Sequence, residues 1–436
     1  MPKLVHEIRD PIHVFIRLDS DERKVLDSRP FQRLRYIHQL ALTYLVYPGA
    51  THRRFEHSLG VMELASRVYD IVTDPKNISH DTVRKVVPVW GERSHQYWKC
   101  ALRMAALCHD LGHLPFSHAA EQELLPPGWS HESLTVELIK SPEMASLWGE
   151  LNLNPNHVAM LAVGPKHYAD DVSAPEFSDW QAILAEIISG DVFGVDRIDY
   201  LLRDSLHAGV GYGKFDHYRL IDTLRILPKG EDGSEEPALG VEIGGLHSAE
   251  SLLMARYFMF QQLYLHPVRR IYDIHLKDFL GKWLDGGRFS VQIDDHLKMT
   301  DNEVTAALAR AASDPTHPGH VHADRIVGRK HFKLLYERNS RDQSINPEAA
   351  RRVFDAACGE FGEAHIRYDP YAKEDSRSDF PVLMRDQTVG SALRESRVLL
   401  GVPPAAVEYV FVSRECFDRA QEWLRTKRDA MMKIDL

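Results

Sequence analysis

The chain has 436 residues, of which 44% are hydrophobic and 27% charged, enough for one large domain plus a smaller one, or two to three of ordinary size. A formal net charge of −10 excludes a dedicated, tight, non-specific nucleic-acid binder, so an anionic ligand needs a locally cationic site. No apolar stretch approaches the roughly 18 residues of a membrane span, and no charged-then-apolar leader is present; a cytoplasmic protein without membrane partners is expected.

The first 225 residues or so are dominated by helical periodicity. "HSLGVMELASRVYDIV" puts Leu59, Met62, Leu64, Ala65, Val68 and Ile71 on one broad apolar face. "QYWKCALRMAALCH" is almost wholly apolar and predicts a deeply buried helix. "SDWQAILAEIISGDVFGVDRIDYLLRDSLH" predicts one or two more, with a start signal at Ser178. Around 227–246 a polar Gly/Pro/acidic loop leads into "ALGVEI" and Gly-Gly, which fits a small hairpin. Helix resumes from 248 to about 284, and 314–323 is a loop. The tail alternates the strands "AHIRYD", "FPVLM" and "EYVFVS" with helices and ends in an amphipathic helix near 413–432. The class is mostly α. Cys100, Cys108, Cys358 and Cys416 form neither a disulfide framework nor a CxxC pattern and read as reduced, buried thiols.

Chemistry-bearing residues cluster on three of these elements. His57 opens one helix; His109 and Asp110 end the apolar helix before Gly112; Asp196 lies in "GVDRIDYLLRD". Imidazole and carboxylate together suit divalent Mn, Fe, Zn, Ni or Mg, and two of each leave positions open for water and substrate. His113, His118, Glu121 and His131 follow the His-Asp pair closely, adding groups suited to acid–base work. Asp196, Asp199, Tyr200 and Arg203 share one helix face; for Asp199 and Arg203 an ordinary surface pair explains the spacing as well as any function does.

Taken together, "FEHSLGV", "CHDLGHLPFSH" and "VDRIDYLLRD" resemble the HD-domain phosphohydrolases. More specifically, the chain resembles the deoxynucleoside triphosphate triphosphohydrolases that include the animal sterile-alpha-motif/HD-domain enzyme and its bacterial relatives. "DPIH" at 10–13, "FQRLRYIHQL" at 31–40, "YPGATHRRFEHS" at 47–58 and "YLHPV" at 264–268 extend the match, so it covers about 5–280. The resemblance implies an HD-domain helical core over 1–225. A hairpin and helices completing the pocket would occupy 226–300, and a C-terminal α+β subdomain 301–436.

It further implies that His57, His109, Asp110 and Asp196 hold one divalent metal, with a second Mg accompanying the substrate triphosphate. His113, with Glu121 behind it, would act at the α-phosphate and leaving 5′-oxygen, while His118 and His131 would line the triphosphate side. Arg54 and Arg197 would contact phosphates. Gln39, Leu40, Tyr200, Asp204, Arg256 and Tyr264 match positions that hold sugar, phosphate or base. The implied reaction converts a deoxynucleoside triphosphate to a deoxynucleoside and inorganic triphosphate, in a homo-oligomer of two to six copies. Other phosphoester hydrolases on the same site (a nucleotidase, a cyclic-nucleotide phosphodiesterase, a 3′-exonuclease) are the alternatives, followed by a non-catalytic nucleotide sensor.

Asp27, Gln32 and Arg35 match guanine-effector residues of the animal enzyme, although they equally suit a helix start. Arg9, Val14, Glu242 and Pro267 depart from its effector pattern, which implies that effector control is lost or differently built. The loop histidines His317, His320 and His322 are better explained by a polar loop than by a second metal site. The basic stretch "GRKHFKLLYERN" at 328–339 is better explained by an amphipathic helix or a sheet edge than by a nucleic-acid contact.

Overall fold

The structure, a computed structural model, describes residues 5–116, 121–168, 176–229, 236–372 and 379–432. It is mostly α, as the periodicity indicates, and divides into two compact units. The first comprises residues 1–259, 290–302 and 377–402; the second comprises 260–289, 303–376 and 403–436. Among the described residues no helix is long and apolar enough to cross a membrane.

The first unit opens with a hairpin that helical periodicity did not reveal. Strand β1 (Val5–Asp10) pairs antiparallel with β2 (Val14–Asp19). The "DPIH" motif is its turn: the Asp10 carboxylate accepts from the backbone N–H groups of Ile12 and His13, both at 2.8 Å. Val14 leaves that turn at φ 68°.

The Arg54–Thr73 helix packs against Arg93–Cys108 and against Val195–Ala208. Arg93–Cys108 carries the expected apolar run, and Ala101, Leu102 and Met104 through Cys108 are fully buried. The long segment after 178 forms two helices, Asp179–Ser189 and Val195–Ala208. Ser178 caps the first, with Gln181 closing the capping box.

Strands β3 (Leu224–Lys229) and β4 (Glu236–Glu242) form the expected hairpin. Its sheet then gains β7 (Pro381–Leu383), parallel to β4, and β8 (Val389–Ser391). "FPVLM" thus pairs with a strand some 140 residues earlier, a partnership that local pattern cannot encode.

The helix expected over 248–284 is interrupted. Leu246–Met259 gives way to a π turn at Phe260–Tyr264, and Pro267–Trp283 starts afresh. Pro267 has no N–H to continue the ladder and sits at N1, where none is needed.

In the second unit β9 (Ala406–Val412) lies between β5 (Lys333–Glu337) and β6 (Ile366–Ala372). Period-2 alternation sends Val410 and Val412 toward helices Ala349–Phe361 and Phe417–Met432, while Val407, Tyr409 and Phe411 meet Leu265, Ile271 and Phe332. "GRKHFKLLYERN" contributes the edge strand β5. The loop expected over 314–323 ends earlier, because His320–Val327 is helical. The four cysteines are free, but only Cys108 is buried; Cys100, Cys358 and Cys416 are partly exposed.

Candidate metal centre and active site

His57 lies one turn into the Arg54–Thr73 helix, fully buried. Its Nδ1–H donates to Asp199 Oδ2 at 2.8 Å, which leaves Nε2 facing Asp196 Oδ1 at 3.0 Å and Asp110 Oδ2 at 3.8 Å. At the end of the Arg93–Cys108 helix, His109 donates Nδ1–H to the Ala106 carbonyl at 2.9 Å. Its buried Nε2 then has no hydrogen-bond partner among the described residues, and it stands 3.2 Å from Asp110 Oδ1 and 3.6 Å from Asp196 Oδ1. Ligand atoms of His57, His109 and Asp110 all fall within 4.8 Å of one another.

Both imidazoles therefore have Nδ1–H committed to an acceptor, so that in the neutral form each Nε2 turns its lone pair into the space it shares with the carboxylates. Neutral nitrogen plus anionic oxygen is the donor set that divalent cations take. The local field has the matching sign. Burial pushes the His57 pKa down, but its hydrogen bonds to Asp196 and Asp199 push it further up, to about 10. Asp196 is the most open of the four, its side chain 36% exposed.

Behind the four stands a support network. Asp199 accepts from His57, from His13 Nε2 at 2.7 Å and from Arg203 through two nitrogens at 2.8 and 2.9 Å. Arg203 also reaches Asp10 at 2.9 Å, so the "DPIH" turn is the outer support of the His57 ring. Asp199 and Arg203 are both fully buried, a core network rather than a surface pair. Sequence pattern placed Asp199 on the correct helix face; its burial against His57 depends on tertiary packing. Gly60 admits the network, since a Cβ there would lie 2.0 Å from Asp199 Oδ1.

Arg54 is also buried and donates to Asp110 Oδ2 at 2.6 Å. His113 Nε2 lies 3.1 Å from Asp110 Oδ1, and its ring stacks on His131 at 3.9 Å between centroids. Glu121 backs His131, accepting its backbone N–H at 2.7 Å and bonding its Nδ1. Glu121 thus meets His113 across the His131 stack. Glu132, which the sequence pattern did not single out, lies 3.3 Å from His131 Nδ1. Burial, aided by Arg54 and His131, holds the His113 pKa well below the usual imidazole value. For His131 burial also lowers the pKa, but Glu121 and Glu132 outweigh it and raise it. His118 lies outside the described residues.

Arg197, Tyr200 and Asp204 follow Asp196 on the Val195–Ala208 helix. Arg197 donates to the Gly190 carbonyl at 3.0 Å, and Arg256 to the Asp191 carbonyl at 3.4 Å. Burial raises the Tyr200 pKa, which Arg197 and Arg256 oppose. Asp204 is bonded by His52 at 2.7 Å. Leu40 is buried, and Gln39 has a buried Oε1 without a hydrogen-bond partner. Tyr264 belongs to the second unit, edge-on to Phe260.

Asp27, Gln32 and Arg35 are engaged locally. Arg23 bonds Asp27 at 3.2 Å; Gln32 donates to the Leu26 carbonyl at 2.8 Å and accepts from Arg35. Arg35 lies 3.5 Å over the Phe55 ring.

His275, Asp278 and His322 form another candidate cluster, in the second unit. There His275 Nε2 accepts the Phe332 N–H at 3.3 Å, so its Nδ1 carries the proton, and Arg367 approaches Asp278 at 3.4 Å. A protonated nitrogen and a guanidinium oppose a cation. Of the loop histidines, His317 accepts from the Gly319 N–H and His320 bonds the Ala311 carbonyl, the roles of a polar loop.

The model of the HD domain matches residues 54–147, and that of the HD associated region matches 215–353. The uncharacterized protein YwfO of Bacillus subtilis is 33% identical over 396 residues, covering 86% of this chain and 80% of that protein. The deoxynucleoside triphosphate triphosphohydrolase SAMHD1 of Homo sapiens is 32% identical over 68% of this chain. The match covers 49% of the human protein, so the chain spans about half of its length. A crystal structure of a hypothetical protein from Aquifex aeolicus superimposes with a TM-score of 0.77 at 32% identity, covering 96% of this chain and all of that one. With His57, His109 and Asp110 lying inside the segment matched by the HD domain, the chain belongs to the HD-domain phosphohydrolase family.

Proposed function

We propose that the protein is a metal-dependent deoxynucleoside triphosphate triphosphohydrolase. The observation that carries this reading is the convergence of His57, His109, Asp110 and Asp196, with the proton of each imidazole committed elsewhere. A divalent ion held by these four would polarise a phosphoryl oxygen and lower the pKa of water. The chain's own residues do the rest. Arg197, which donates to the Gly190 carbonyl, and Arg256, which donates to the Asp191 carbonyl, offer guanidinium charge to a polyphosphate on an otherwise acidic protein. Arg54, paired with Asp110, holds that carboxylate in place and extends the same positive field.

Water attacks the α-phosphorus, the bond to the 5′-oxygen breaks, and the leaving alkoxide takes a proton. The His131–Glu121 pair is suited to carry that proton, with neutral His113 stacked beside it. Gln39, Leu40, Tyr200 and Asp204 are proposed to hold sugar and base; the Gln39 Oε1, unpartnered among the described residues, suits a ligand donor.

The similarity to human SAMHD1 supports the substrate class. Effector activation is proposed to be absent. Asp27, Gln32 and Arg35 are bonded locally, and Glu242 accepts from Arg225 at 2.6 Å. Assembly into dimers or larger homo-oligomers is part of the proposal.

The test incubates the protein with each dNTP, each NTP and a labelled oligonucleotide, with Mn²⁺ or Mg²⁺, with and without GTP. Inorganic triphosphate from dNTPs alone supports the reading. Stepwise phosphate or mononucleotide release refutes it, and a requirement for GTP refutes the effector proposal. Asp196→Asn is expected to abolish hydrolysis and to weaken Mn²⁺ binding, read by calorimetry, by more than about 100-fold.

A further inference from the structure

Asp301 stands at the end of the 290–302 segment through which the chain re-enters the first unit, and it is buried. Its carboxylate accepts three hydrogen bonds, all from distant segments. Oδ2 takes the His38 backbone N–H at 2.7 Å and the His38 Nδ1–H at 2.6 Å; Oδ1 takes the Phe116 N–H at 2.7 Å.

Each anchored segment adjoins the candidate site. His38 precedes Gln39 and forms a lone β-bridge with Arg53. Beside that bridge, Gln39 donates to the His52 carbonyl and Arg54 to the Ile37 carbonyl, both at 3.0 Å. Phe116 lies three residues after His113. The His38 ring is sandwiched between Tyr44 and Phe116, at 5.1 and 5.9 Å. The backbone is strained on both sides of the carboxylate: Phe116 has φ 55° and Ala41 φ 47°, left-handed values without glycine. Strained conformations persist only when the surroundings over-determine them, and one buried carboxylate gripping both loops is such a surrounding. Upstream in the same segment the Met299 carbonyl accepts from Arg33, which also reaches the Leu111 carbonyl.

We propose that Asp301 is a positioning residue for substrate binding. It fixes the Gln39 loop and the His113–Phe116 turn against each other without touching the metal ligands. The inference rests on the proposed activity for its kinetic readout but not for its structural one. Asn at this position has a single acceptor oxygen, so it can serve one loop and must turn an NH₂ group toward the other's N–H.

In Asp301→Asn, KM for the preferred dNTP is expected to rise about tenfold or more, with kcat changed less and Mn²⁺ affinity unchanged. Because the effect runs through Gln39, Gln39→Ala is expected to raise KM in the wild-type background and to add little in Asp301→Asn. Hydrogen exchange of 37–41 and 111–116 is expected to accelerate in Asp301→Asn but not in Asp196→Asn, whether or not any dNTP is a substrate. If Asp301→Asn proves unstable, His38→Ala removes the ring bond and the ring stack while leaving both backbone bonds to the carboxylate, and is read in the same way. A loss of kcat at unchanged KM, additive Gln39 and Asp301 effects, or unchanged exchange in both segments would overturn the proposal. Faster exchange in a protein inactive on every dNTP would uphold the positioning role and refute the activity.

Discussion

Replacing Gly60 by Ala tests whether the support behind His57 is as tightly fitted as the structure indicates. The new Cβ would meet Asp199 Oδ1 at 2.0 Å, Arg203 Nη2 at 2.5 Å and Asp199 Cγ at 2.7 Å. Carbon contacts settle near 3.5 Å, so the carboxylate or the helix must give way by about 1–1.5 Å. The four hydrogen bonds on Asp199 measure 2.7 to 2.9 Å, and such a retreat carries several of them beyond bonding range. Overpacking costs about 1–3 kcal/mol and each weakened charge-assisted bond about 1.5–3 kcal/mol. Alanine's better helix propensity returns at most about 1 kcal/mol. If two of these bonds are lost, a net loss of about 3–8 kcal/mol follows. His57, freed from its anchor, should also cost about 10–100-fold in metal affinity. Gly149→Ala is the matched control: it too lies in a helix, is exposed, and a Cβ there meets nothing within 4 Å. That change should be neutral or stabilising by up to about 1 kcal/mol. Denaturant unfolding and Mn²⁺ calorimetry read both variants. A Gly60→Ala protein as stable as Gly149→Ala, with wild-type metal affinity, would refute the reasoning.

Val14→Gly relieves a β-branched residue held at φ 68° on an exposed turn; it should stabilise by about 1 kcal/mol, and a lower thermal midpoint would contradict the strain. In the second unit, burial raises the Asp342 carboxyl, but bonds from Arg428, Asn339 and Tyr336 outweigh it and hold its pKa below the usual value. A depressed folded pKa gives stability that is present above the unfolded value of about 3.9 and lost as pH falls through the folded one. Asp342→Asn should therefore lower the thermal midpoint at pH 7 and lose less than wild type between pH 4 and pH 2; parallel curves for the two proteins would sink this assignment.

The parts legible in the sequence are those whose meaning is local. The apolar run before Cys108 foretells its own burial, and Ser178 with Gln181 spells out a helix start. The histidine–aspartate pair at a helix end announces a site once His57 and Asp196 are set beside it. What was not legible depends on distant partners. Asp199 and Arg203 show the i,i+4 spacing of a surface pair, and only the arrival of His13, His57 and Asp10 makes them a buried anchor. Asp301 has no motif, because its partners lie 185 and 263 residues away. The 248–284 run reads as one helix because a π turn preserves most of the apolar period, and its break shows locally only as Pro267. The first hairpin escaped because its strands are short and largely exposed.

The charge arrangement around the centre bears on how an acidic protein would receive the proposed anionic substrate. Asp110 is matched by Arg54, while Asp10 and Asp199 share Arg203. Asp196 meets the two imidazoles and, in the ion pairs described above, no guanidinium. These four carboxylates outnumber the two guanidinia, and the surplus negative charge holds the His57 imidazole toward its charged form. Buried charge is tolerated only when it is balanced, and a divalent cation bound there would take over that balancing. Arg197 and Arg256 donate to the carbonyls of Gly190 and Asp191, which orient their guanidinium groups. The molecule's net charge of −10 thus coexists with local cationic groups, the condition that the proposed polyphosphate ligand requires.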